Sequence, residues 1–243
     1  MNARPILVAT IQHTGTWFLL NFLKQHPACS KPFMVHKLRY EDELYFEEPP
    51  DRPVVLLHQH FKNYETAEED KTKNYNAYAS PILLRALFST YKTVIPLRDP
   101  LRSLVTRQAR HPAMTHRYIV HGFTYAATID VPTVMFMPLD LLQQSEPDRR
   151  VAALKQLLTH MGLPIKPYAT RWGRRWPNVA STEKSVAAKR LRLEEYKKMY
   201  EARDLPALRA AGISAEIDLL QEHEAVIRPF LEHYGYDDLC WYS

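Results

Sequence analysis

Cysteine occurs only twice in 243 residues, and glycine only six times. Two cysteines as far apart as Cys29 and Cys240 build neither a disulfide framework nor a zinc site, which favours a reducing compartment. Six glycines against 18 prolines exclude a collagen-like or linker-rich chain. No apolar run reaches the ~18 residues of a membrane span. The N-terminus enters its first apolar segment without a signal-peptide core and cleavage site. The expected location is therefore cytoplasmic. Long runs of one charge sign are missing as well. The net charge of +5 is scattered along the chain, which suits an anionic ligand. It speaks against a nucleic-acid surface, which needs positive charge gathered and interleaved with aromatics.

What the chain does have is an alternation of strand-like and helix-like segments. Ile6–Ile11, Val54–Phe61, Lys92–Arg98 and Thr133–Met137 are short apolar runs, enriched in Val and Ile, of the kind buried on both faces of a parallel sheet. Between and after them lie helical patterns over Phe18–Lys24, Pro81–Tyr91, the segment from Pro100 through Arg110, and Pro147–Met161, the last closed by Gly162 and Pro164. Two further helices are expected over Ser185–Tyr200 and Ala215–Tyr234. The segment 63–79 is polar and reads as a surface loop or short helix beside a substrate. No internal repeat is present. The pattern predicts one α/β domain over residues 1–243: three layers, α/β/α, around a mostly parallel sheet.

Parallel sheets bind ligands at the carboxyl ends of their strands, and the polar residues of interest fall there. The first strand runs into His13-Thr14-Gly15-Thr16-Trp17 and then a helix. Helix N-termini present unpaired N–H groups and a positive dipole end to anions. Gly15 allows close approach of backbone to ligand, and Thr14 and Thr16 add hydroxyls. Alone, the segment suits an ordinary connection with Thr14 as N-cap equally well. It is not a Walker A loop, which needs two glycines and a lysine. The second strand ends in His58-Gln59-His60, whose two imidazoles share one face. His-x-His on a strand also suits a metal, but no third ligand lies at short spacing, so no metal is expected. The third strand ends at Arg98, a planar fork suited to phosphate. Asp99 and Pro100 then start a helix that carries Thr106.

Taken together and in order, these segments resemble the sulfotransferases that use 3′-phosphoadenosine 5′-phosphosulfate. That family opens with a strand, a loop of the type Pro-Lys-Ser/Thr-Gly-Thr-Thr/Ser-Trp-Leu, and a helix. Gln12 through Leu19 aligns with this loop without a gap. The family's Arg-Asn/Asp-Pro, followed by Ser eight residues after the Arg, resembles Arg98-Asp99-Pro100 with Thr106. Its strand ending in Lys-Thr-His resembles His58-Gln59-His60. Its helix ending in Phe-Leu-Gly-Leu-Pro resembles His160-Met161-Gly162-Leu163-Pro164, and Leu139-Asp140-Leu141 and the closing His233–Tyr236 also look similar. The resemblance implies a P-loop-like turn in which His13, Thr14, Gly15, Thr16 and Trp17 cradle the phosphosulfate. It implies that Arg98 and Thr106 bind the 3′-phosphate and that Arg174 closes over that end. His60 would be the general base, with His58 and His36 on the side of a small-molecule or glycan acceptor. The product would be adenosine 3′,5′-bisphosphate.

One position departs from the family. The loop lysine that balances charge on the departing phosphate is His13 here. A histidine does that work only when protonated or as an N–H donor, and dense phosphate charge favours its protonated form. Two other classes compete with the transferase. A small-molecule kinase on a related scaffold needs a Walker lysine and a magnesium-binding Asp, neither of which is evident. A non-catalytic polyanion-binding protein needs no His60 and binds with strong salt dependence.

Overall fold

A computed structural model describes residues 4–11, 13–31, 33–34, 53–61, 78–79, 81–113, 115–143, 146–166 and 187–242. The fold is α/β. In chain order it runs β1 (Arg4–Thr10), α1 (Thr16–Leu23), β2 (Phe33–Met34), β3 (Val54–Phe61), β4 (Tyr78–Ala79), α2 (Pro81–Thr90), β5 (Lys92–Leu97), α3 (Pro100–Arg110), α4 (Arg117–Ala126), β6 (Val134–Pro138), α5 (Leu139–Leu142) and α6 (Pro147–Met161). It continues with α7 (Ala187–Glu201), α8 (Leu205–Leu208), a π-helical turn (Arg209–Ile213), α9 (Ser214–Glu222) and α10 (Glu224–His233). No helix among the described residues is long and apolar enough to cross a membrane.

All strand pairs among the described residues are parallel. The order is β2-β3-β1-β5-β6, with β4 beside β3. The chain visits β2 and β3 on one side of β1 and then returns to its other side for β5. The carboxyl end of β1 is therefore the point where strand order reverses, the position at which open α/β sheets take ligands.

The chain divides into two compact units: residues 1–10, 15–97 and 130–180 form the first, and residues 11–14, 98–129 and 181–243 the second. In the first unit, Ile6, Val8, Leu56 and Val94 pack with Leu19 and Leu23 of α1, Leu139 of α5, and Leu154 and Leu158 of α6. The alternate residues Leu7, Ala9, Leu57 and Ile95 are equally buried. Both faces of the central strands are thus covered, as the continuous apolar runs require. Gly162 ends α6 at φ 61°. Its N–H reaches the Thr159 carbonyl, and the Leu163 N–H reaches back to Leu158 at 2.8 Å. This is the Schellman closure that a glycine in the left-handed region permits. His160, on the last turn of α6, places Nε2 2.9 Å from the Thr93 carbonyl of β5.

The second unit is helical. Some of its buried polar groups are satisfied across long sequence distances. Glu216 of α9 accepts the His116 backbone N–H at 2.7 Å. The Ala211 carbonyl, within the π-helical turn, accepts from Gln108 of α3 at 3.2 Å and from Tyr196 of α7 at 3.1 Å. Those side chains satisfy a carbonyl where the regular helix ladder is interrupted.

Two features depart from the sequence reading. Helix α4 is not predicted by the patterning: Ile119, Val120, Gly122 and Thr124 are poor helix formers, and burial of Ile119, Val120, Phe123 and Ala126 overrides propensity. The single helix expected over 215–234 is two, α9 and α10, broken where His223 leaves the helical region at ψ 14°.

Candidate active site

The turn after β1 is built from backbone strain and missing caps. His13 adopts φ 63° and Gly15 φ 95°. Asn, Asp and His tolerate the left-handed region better than other side chains, and Gly15 meets it without cost. Gly15 also sits where a Cβ would collide with the Leu139 side chain. Gly15, not Thr14, is the N-cap of α1, and no side chain caps that helix. The Thr14 hydroxyl instead turns back and donates to the Ile11 carbonyl at 2.8 Å. The Thr16 hydroxyl is buried and has no hydrogen-bond partner among the described residues. Trp17 is 59% exposed on the first turn of α1.

Strand β3 brings its histidine positions beside this turn's parent strand. His58 is in register with Val8, and His60 with Thr10, the last residue of β1. On the other side His60 is in register with Tyr78 of β4.

In the second unit, Arg98 and Asp99 follow β5 directly, and Asp99 caps α3. One carboxylate oxygen accepts the Leu101 N–H at 2.8 Å and the Trp241 indole N–H at 3.1 Å. The other accepts the Tyr200 hydroxyl at 2.7 Å. Asp99 is buried at 4% exposure. Burial raises its carboxyl above the usual value, against the lowering effect of Tyr200, Leu101, Trp241 and Arg102. Thr106 donates its hydroxyl to the Arg102 carbonyl at 2.8 Å. To donate to a phosphate it must leave that carbonyl.

His13 lies in the same unit, against α3. Arg107 Nη1 is 3.5 Å from His13 Nε2. A guanidinium only donates, so Nε2 is the acceptor and the neutral ring carries its proton on Nδ1. Burial, followed by Arg107, Arg110, His111 and His116, holds His13 well below the ordinary histidine value. His116 is lowered to about 4 by burial and then Arg107. Burial and these neighbours thus favour the neutral ring at position 13, and the fixed cations beside it are the arginines of α3.

No protein-family model matches the chain, and no curated protein does. His36 and Arg174 lie outside the described residues, as does 63–77 of the expected substrate-side segment. His58 and His60 are placed as strand positions. The sequence reading assigned no role to Arg107 or His116. Their partnership with His13 spans 94 residues for Arg107, and no local spacing announces it. The partners of Asp99, 101 and 142 residues away, were equally hidden.

The histidines set a pH dependence. His13 and His116 are lowered in the folded protein, so the unfolded chain binds more protons below the ordinary histidine value. Their contribution to stability is full above about pH 6.5 and is lost as pH falls from there towards their folded values. His116 alone is expected to remove about 2 kcal/mol by pH 5. Urea midpoints at pH 7 and pH 5 measure the loss, and His116→Phe should flatten it.

Proposed function

We propose that this protein is a sulfotransferase that uses 3′-phosphoadenosine 5′-phosphosulfate. The observation that carries the reading is the start of α1. A buried Thr16 hydroxyl without a hydrogen-bond partner among the described residues, and a helix N-terminus without a side-chain cap, sit behind a left-handed glycine, at the carboxyl end of the strand where sheet order reverses. That combination fits a phosphate-bearing group: N–H donors, a hydroxyl donor and room for close approach. The resemblance of Arg98-Asp99-Pro100 and Thr106 to the 3′-phosphate signature supports the particular nucleotide.

When bound, the nucleotide would supply the sulfuryl group: the acceptor's oxygen or nitrogen bonds to sulfur while the bridging S–O bond breaks and leaves its electron pair on the 5′-phosphate. Backbone N–H groups from Gly15 through Trp17, with the Thr16 hydroxyl, stabilise the charge gathering on that phosphate. Arg98 anchors the 3′-phosphate and so fixes the register of the nucleotide. His60 takes the proton of the acceptor hydroxyl or amine as general base. Trp17 offers an exposed aromatic face for a planar ring. We assign the acceptor to small molecules or glycans, and the reaction to the cytoplasm, where Cys29 and Cys240 persist as thiols.

Calorimetric titration with adenosine 3′,5′-bisphosphate tests the reading, and no binding at millimolar ligand sinks it. Arg98→Ala is expected to weaken the bisphosphate by about 10- to 100-fold. It should leave adenosine 5′-phosphate within about threefold, because only the 3′-phosphate loses its partner. Equal losses for the two ligands would remove Arg98 from that role.

A further inference from the structure

The turn after β1 lacks the cation that a departing phosphate calls for, and His13 does not supply it. The groups that act on its ring are positive or potentially positive: Arg107 and Arg110 from α3, His111 just beyond that helix, and His116 at the start of α4. Nε2 accepts from Arg107. Protonating Nε2 would abolish that bond and set two cations against each other. The left-handed backbone at His13 fixes the ring at the turn, and the Thr14 hydroxyl bond to Ile11 locks the next residue. Ile11 is itself held by α4: a Cβ on Gly122 would come within 2.9 Å of Ile11 Cγ2. Ile11, His13, α3 and α4 thus share one corner, with the Arg107 guanidinium beside the residue that replaces the lysine.

We propose that Arg107 is the cation that meets the 5′-phosphate end of the nucleotide, and that neutral His13 is a positioning residue that holds its guanidinium by accepting a hydrogen bond. The inference rests on the sulfotransferase reading. It moves the charge from the loop to α3, one residue beyond Thr106. A guanidinium keeps its charge at every physiological pH, whereas a histidine in this corner does not. Protonation of His13 at low pH breaks the positioning bond, so nucleotide affinity has an acid limb that belongs to His13.

Wild type, Arg107→Gln, Arg107→Lys and His13→Gln are titrated by calorimetry with adenosine 3′,5′-bisphosphate and, separately, adenosine 5′-phosphate. Arg107→Gln is expected to lose about 10- to 100-fold on both ligands, since both carry the 5′-phosphate. Arg107→Lys should fall between it and wild type, because a point charge replaces a planar fork. His13→Gln keeps a neutral acceptor and should stay within about threefold of wild type, with its acid limb flattened. Histidine nitrogen chemical shifts of the ligand-free wild type should report a neutral, Nδ1-protonated His13 at neutral pH. This reading stands even if Arg107→Gln fails to fold.

Wild-type affinity for the bisphosphate with Arg107→Gln unchanged on both ligands overturns the inference and leaves the sulfotransferase reading intact. So does a loss confined to the bisphosphate, which would place Arg107 at the 3′-phosphate. A charged His13, or a His13→Gln loss as large as that of Arg107→Gln, overturns the positioning role. Failure of wild type to bind the bisphosphate at all overturns both.

Discussion

Asp99→Ala is expected to lower the free energy of unfolding by about 3–5 kcal/mol, and Asp99→Asn to change it by less than about 1 kcal/mol. The carboxylate is buried and satisfies three donors: the Leu101 backbone N–H, the Trp241 indole and the Tyr200 hydroxyl. Alanine removes the N-cap of α3, worth about 1 kcal/mol. It also leaves an indole N–H and a phenol in the interior without their acceptor, at about 1–3 kcal/mol each where no water replaces it. Asparagine keeps one acceptor oxygen for Leu101 and Trp241, and its amide donates to the Tyr200 oxygen. The charge itself contributes little. Burial raises the Asp99 carboxyl, so the folded protein binds protons more readily than the unfolded chain. Stability from this group is then present below the ordinary aspartate value and declines as pH rises through the folded value. Asp99→Asn escapes that decline, and it should compare more favourably with wild type at pH 7 than at pH 4. Urea denaturation at both values measures this. An alanine variant within about 1 kcal/mol of wild type would mean that the three bonds are replaceable by water. Arg98 is the neighbour of Asp99, so the same cap that stabilises α3 also fixes the backbone of the proposed 3′-phosphate ligand.

The α/β class was legible because it depends on local patterns. Val54–Phe61 and Pro147–Met161 are observed with the bounds the sequence predicts. Apolar runs with strand length, and a helix framed by Pro147 and Gly162, need no distant information. Asp99 as N-cap and Pro100 at the first helical position were legible for the same reason. The cap of α1 was read differently: Thr14 has the right side chain, but its hydroxyl finds the Ile11 carbonyl, and the left-handed Gly15 takes the cap position. Helix α4 escaped because its residues favour the buried environment rather than the helix. The state of His13 escaped for a deeper reason. Its residue type leaves both a protonated ring and a neutral N–H donor open. The fold instead surrounds it with Arg107, Arg110, His111 and His116, a set assembled by α3 and the approach to α4. Sequence showed what sits at position 13, and tertiary structure decides its charge.

His60→Ala is expected to reduce kcat for sulfuryl transfer by about 100- to 10,000-fold, with adenosine 3′,5′-bisphosphate affinity within about threefold of wild type. His60 is the penultimate residue of β3, in register with the last residue of β1, from which the proposed phosphosulfate turn departs. In the proposed reaction a base at this position would stand at the carboxyl edge of the sheet, the edge from which the turn departs. Under the proposed function the nucleotide's ligands lie outside β3, so removing a base from β3 should spare binding and slow the chemical step. His58 lies two residues earlier, in register with Val8 rather than Thr10, further from that edge. His58→Ala should therefore cost less than about tenfold in kcat. The pair of variants separates three readings in one experiment. A large loss confined to His60→Ala supports the base assignment, and a large loss confined to His58→Ala moves the base two residues up the strand. Unchanged turnover in both, with bisphosphate binding intact, would leave a nucleotide-binding protein whose acceptor is activated by a residue outside β3.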